Sequence, residues 1–156
     1  MGIEEKKQLT KDWICTMLYT GPKDFQDLIK EGCKVMVYGW EYDEFVKIVS
    51  GMVTDSTIFL SGSNYNLTTK GLYNVKKNTV VPLLNLTANS QYAQAFIQKN
   101  KENCDYLFLE SLTTLKTEKD KENRIIEYAK NNYDKLAKII FLITKSALDS
   151  TSTPSG

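Results

Sequence analysis

Apolar residues recur at helical intervals towards both ends of this chain and crowd into short runs in its middle. Near the start, Leu9, Trp13, Ile14, Met17 and Leu18 fall at steps of four, one, three and one, the spacing that lays one apolar stripe along a helix. A helix over 4–19 is therefore predicted. Gly21 and Pro22 stop it, because glycine tolerates a left-handed cap and proline cannot continue the ladder. Pro22 also suits the opening of a second, short helix, with Asp24 and Asp27 near the positive end of its dipole. Phe25, Leu28 and Ile29 would face inward there, and Gly32 would cap it.

From Lys34 the period changes. The runs 34–40, 45–53, 57–60 and 79–84 are short and rich in β-branched and aromatic residues, and turn chemistry separates them, so they read as strands. The turns fall at 41–44, 55–56 and 61–64. Gly51 reads as a bulge within the longest strand, and Pro82 puts the fourth at an edge because it cannot donate to the ladder. Beyond Leu86 the helical period returns. Thr87, Asn89 or Ser90 can cap a helix carrying Tyr92, Ala95 and Phe96. Ile126, Ala129, Tyr133, Leu136 or Ala137, Ile140, Ile143 and Ala147 then describe one long amphipathic helix. A competing pattern breaks that helix near Asp134 and makes 138–144 a buried strand, in a βαβ unit with 105–109. The unbroken stripe favours the helix.

The fold class expected from this pattern is α+β. An N-terminal helical pair precedes a central antiparallel β-meander or small barrel, and a C-terminal helical segment ends in the long amphipathic helix. A single globular domain is expected over 1–148, with helices in 4–31, β structure in 34–86 and helices again in 88–148. Residues 149–156 carry no core side chain and read as a flexible tail.

Composition narrows the function classes. A chain of 156 residues supports one well-filled core, and 42% hydrophobic with 25% charged residues is a globular balance. The net charge of +1 lacks the basic excess that duplex nucleic-acid binding calls for. The first residues have no apolar segment of a secretory signal, Lys6 stands where a myristoylation pattern needs Ser or Thr, and no apolar run approaches the ~18 residues of a membrane span. Cys15, Cys33 and Cys104 are odd in number and far apart, which suits reduced thiols in a cytoplasm. Arg124 is the only arginine among many lysines and asparagines, a bias that fits A- and T-rich codons. Together with the small size, it suits a viral, mobile-element or effector protein.

Candidate chemistry is sparse. The absence of histidine removes Ser-His-Asp and Cys-His nucleophiles and His-based metal sites. There is no Cys-x-x-Cys pair and no glycine-rich nucleotide loop. Glu41, Asp43 and Glu44, with Asp55 across a hairpin, offer hard oxygen ligands of the kind that hold Mg²⁺ or Ca²⁺, but a charged turn that keeps a hairpin soluble is the preferred reading and no metal is expected. Asp105 and Glu110 read as surface charges. Neither a catalytic residue nor a cofactor is expected. Aromatics are the surplus: Trp40, Tyr42, Tyr65 and Tyr73 sit in or beside loops of the β region, with Lys70 among them. Aromatics beside cations stack on bases, and the same residue types anchor protein interfaces.

The run Gly32-Cys-Lys-Val-Met-Val-Tyr-Gly-Trp40, followed by Phe45-Val-Lys-Ile48, resembles small phage proteins that sequester cyclic nucleotide signals. That family usually has an arginine where Val37 stands, and its C-terminal acidic-tryptophan segment has no counterpart in this chain. The resemblance implies nucleotide capture. The residues themselves favour a non-enzymatic cytoplasmic protein that acts by occupying a protein partner, with no membrane role. The alternative is a nucleotide or single-stranded nucleic-acid binder using Trp40, Tyr42, Tyr65, Lys70 and Tyr73.

Overall fold

The computed structural model describes residues 2–35 and 39–152, with no account of the side chains of 33–35 and 148–152. Helix α1 (Ile3–Tyr19) opens with Glu4 and Glu5 at its positive end and buries Trp13, Ile14, Met17 and Leu18, as its stripe requires. Gly21 follows with φ +145, a backbone conformation that favours glycine. A two-residue strand β1 (Lys23–Asp24) leads into α2 (Phe25–Val35), and the Asp24 carboxylate accepts from the Asp27 amide at 2.8 Å. The helical pair is therefore present, but Gly32 lies inside α2 instead of capping it.

The first large departure from expectation is α3 (Tyr42–Thr54), which occupies the run read as the longest strand. Its buried residues are Phe45, Ile48, Val49 and Met52, at i, i+3, i+4 and i+7. That row is a helical stripe, and β-branched side chains lower helix propensity too little to outweigh its burial. Asp43 and Glu44 sit in the first turn of α3, where the dipole favours acids, and Gly51 is an ordinary helical residue and no bulge. Of the run 34–40, Lys34 and Val35 belong to α2, and 36–38, Tyr38 included, lie outside the described residues.

Strands β2 (Ile58–Ser61) and β3 (Asn64–Leu67) form a hairpin closed by Gly62 and Ser63, with Gly62 at φ +61. The antiparallel sheet has the order β1-β3-β2, so β2 is one edge. It does not close, and a small barrel is not what forms: the described residues are mostly helical (76%). The run 79–84 is helical too. Helix α4 (Thr69–Val75) passes through a π turn (Lys76–Val80) into α5 (Val81–Thr87), with Pro82 in the first turn of α5. Proline has no N–H to give and its ring crowds the carbonyl four residues back. The wider π turn before it, in which the Val81 amide reaches Lys76 O, accommodates both defects.

Helices α6 (Ser90–Asn100) and α7 (Tyr106–Thr113) start at Asn89 and Asp105, whose side chains accept from the amides of Tyr92 and Phe108. Helix α8 (Glu118–Ser152) is long and amphipathic, as its stripe predicts, and 138–144 is helical. Asn132 interrupts it with φ −138 and ψ 37 while its amide donates to Tyr128 O at 3.3 Å. The backbone of α8 runs through 149–152, and 153–156 lie outside the described residues.

Leu28, Met52, Ile58, Leu83, Leu109, Leu136 and Ile139 are fully buried in one core cluster. Where α1, the π turn and α8 meet, that core contains polar groups. Tyr133 Oη lies 3.2 Å from Thr79 Oγ1 in a buried contact. Asp12 is pushed up to about 6 by burial, against amides of Gln8 and Asn78 that donate to it. Trp13 Nε1 is buried without a hydrogen-bond partner.

Candidate functional site

A knot of short hydrogen bonds holds the hairpin against α4. Ser56, at φ +65, turns the chain from α3 into β2, and the Asp55 carboxylate accepts from Thr57 N at 3.0 Å and Thr57 Oγ1 at 2.5 Å. Thr68 caps α4: its hydroxyl oxygen accepts from the Gly71 amide at 3.1 Å and lies 2.5 Å from Ser56 O and 2.9 Å from Thr57 O. Lys70 Nζ donates to Asp55 O at 2.8 Å. Gly71 is so close to Thr57 O that a Cβ there would collide with that carbonyl. Helix and hairpin are therefore held in one fixed relation.

Above the knot, β2 is open. Residues of β2 pair with β3 as Ile58↔Leu67, Phe59↔Asn66, Leu60↔Tyr65 and Ser61↔Asn64. In a two-residue hairpin the closing pair exchanges both hydrogen bonds and the pattern alternates from there. Phe59 and Ser61 thus direct their backbone groups to β3, and those of Ile58 and Leu60 point off the sheet edge. Phe59 is 46% exposed and Leu60 53%. Both are uncharged and stand on opposite faces of the strand. Phe59 and the exposed Leu72 of α4 line a cleft of about 420 Å³ shared with Leu18, Tyr19, Pro22, Asn66, Leu67, Thr68 and Thr69. Tyr19 donates to the Glu122 carboxylate, and burial together with that carboxylate holds its phenol at about 12.

The five residues singled out from the sequence do not form one pocket. Trp40 is half-buried, and its Nε1 donates to Thr10 Oγ1 at 2.8 Å. Tyr42 is exposed and meets Phe25 edge to face at 5.7 Å. Tyr65 is half-buried in β3 between Lys23 and Leu60. Lys70 and the exposed Tyr73 are together on α4, where Lys77 lies 5.9 Å from the Tyr73 ring centroid. None of the five lines the cleft beside β2 or a second, polar one of about 360 Å³ around Glu102, Cys104, Asp105, Lys135 and Lys138. Burial raises the Cys104 thiol, and raises Cys15 to about 12, which suppresses thiolate chemistry at both. Among the described residues no three Cys, Asp or Glu side chains converge as a metal site, and Asp55 is engaged in its turn. The described residues contain no helix long and apolar enough to cross a membrane.

Phe59, Leu60, Leu72 and Lys76 are not among the five binding residues expected from the sequence. A charge count along the chain carries a signal for this region. From Ser56 to Lys101 there is no acidic residue, while Lys70, Lys76, Lys77, Lys99 and Lys101 are all cations. Comparisons with protein-family models, curated proteins and solved structures return no match, for the phage-like run 32–48 or for any other part of the chain.

Proposed function

We propose that this chain is a non-catalytic binding protein that takes an extended segment of another protein as an added strand along β2. The observation that carries this reading is the open edge, where backbone groups of Ile58 and Leu60 point outward between the exposed side chains of Phe59 and Leu60. Main-chain hydrogen bonds from such an edge supply affinity, and alternate side chains supply selectivity. Natural edges are usually blunted by a charge, a proline or a bulge, and β2 contains none of these. The cleft at Phe59 offers apolar surface to every second side chain of an incoming strand.

A direct test is Leu60→Pro. The Leu60 amide faces away from β3, so the proline removes no ladder bond, yet it takes away the donor that an added strand needs. The variant should fold, by circular dichroism and melting, and should lose capture of extended peptides. Retained capture would defeat the reading.

A second reading, a nucleotide or single-stranded nucleic-acid binder, is supported by one observation: Lys70, Tyr73, Lys76 and Lys77 lie exposed on the same stretch of helix. Trp40 and Tyr42 do not contribute to it, since their rings engage Thr10 and Phe25.

A further inference from the structure

The partner's charge can be read from the helix beside the edge. We infer that the segment taken up by β2 carries an acidic flank, which rests on the reading of β2 as the docking edge. Thr69 and Leu72 both line the cleft at Phe59, and residues three and four apart share a helix face. Lys76 is the next member of that row, exposed one turn beyond Leu72. The adjacent row is Lys70, Tyr73 and Lys77, with Tyr73 and both lysines exposed. The knot at Thr68 and Gly71 fixes both rows relative to β2.

No carboxylate between Ser56 and Lys101 balances these cations within the segment. The Debye length is about 8 Å at physiological ionic strength, long enough for lysines on α4 to act on residues entering or leaving the cleft. Their sign also argues against a second copy of this chain as the occupant. Pairing β2 with β2 would bring two acid-free segments together, each with its lysines on the helix beside the edge, and like charges so placed repel. An apolar segment with alternate side chains in the cleft and glutamates or aspartates beyond it satisfies the backbone, the apolar surface and the charge at once.

The test uses fluorescein-labelled peptides of alternating threonine and valine, extended at either end by a run of glutamates or of lysines. Binding is followed by anisotropy at low and high salt, and by amide shifts of the isotopically labelled protein. The expected result is shifts at Ile58–Ser61 with both peptide types. At low salt the glutamate peptide should bind about tenfold more tightly than the lysine one, and high salt should erase the difference. Lys76→Glu, at an exposed position, should reduce that preference without lowering the melting temperature. Equal affinity for the two peptides, with the same β2 shifts, would overturn the acidic flank and leave the edge reading standing. Absence of β2 shifts with any peptide would overturn both. An oligothymidylate that displaces the glutamate peptide and shifts only α4 and the π turn would transfer the lysine face to the nucleic-acid reading.

Discussion

Two regions of this molecule place side chains against the general rule, in opposite senses. Where α1, the π turn and α8 meet, polar groups are half-buried or buried: Asp12 against Gln8 and Asn78, and Tyr133 against Thr79. Along β2 and the start of α4, apolar groups are outside: Phe59, Leu60 and Leu72. Asp12 and Tyr133 have partners within the chain, so the fold itself accounts for them, although the Trp13 N–H beside them has none. The apolar groups outside flank a strand edge whose ladder continues no further, and folding does not account for them. Conformity with the rule is therefore less informative than whether a departure is satisfied internally.

The largest effect that should separate the two regions comes from truncating an aromatic ring in each. Tyr133→Ala empties a buried site between α8 and the π turn and should cost about 3–5 kcal/mol of stability in denaturant titration. Phe59→Ala, at a half-exposed site, should cost well under that, about 0.5 kcal/mol, while weakening peptide capture. Comparable losses from both would break the contrast.

Gly71→Ala probes the junction that holds the edge in place. The added methyl meets the Thr57 carbonyl, so α4 must move off the hairpin, and a loss of about 1–3 kcal/mol is expected from melting. A variant as stable as the parent would mean that helix and hairpin are not rigidly coupled.

Asp12 offers a test in pH. Its folded pKa of about 6 is raised above the ordinary 3.8 by burial, so the folded state holds the proton more tightly than the unfolded chain. The stabilisation from that proton is fully present below about pH 4, is lost as pH rises through 6, and leaves a buried charge above it. Asp12→Asn should therefore be more stable than the parent by about 1–3 kcal/mol near pH 8 and equal to it near pH 3. A constant difference across that range would show that Asp12 titrates normally. The smallest effect concerns the end of α8: removing 149–156 should leave the melting temperature unchanged, and a drop of several degrees would show that those residues pack.

How much of this was legible in the sequence depended on whether one pattern or two fitted each run. Trp13, Ile14, Met17 and Leu18 fit only a helix, and α1 forms where they predict it. The run 57–60 fits only a strand, and becomes β2. Phe45, Ile48, Val49 and Met52 satisfy a helical period while their neighbours Val46 and Val53 carry strand propensity, and burial of the helical stripe decides in favour of α3. Pro82 suggests a strand edge because it cannot donate to a ladder, and the π turn that leads it into a helix instead has no sequence signature. At the site, Lys70 and Tyr73 were visible as a cation beside an aromatic. Trp40 is half-buried against the core, and its bond to Thr10 depends on a contact thirty positions away in the chain, which no local pattern shows. The openness of β2 is a property of strand order, which no local pattern encodes.

The buried Trp13 indole has a spectroscopic consequence. Its N–H lies in the core without an acceptor, whereas that of Trp40 is bonded to Thr10 on a half-buried ring. Indole emission shifts to the red as the surroundings become more polar and hydrogen-bonding. Trp13 should therefore emit at the blue end of the tryptophan range, and its spectrum should stay fixed until the core opens. Trp40 should respond to smaller movements between the start of α3 and α1. The two chromophores thus divide one emission band into a signal for global unfolding and a signal for local rearrangement, with no label added to the chain.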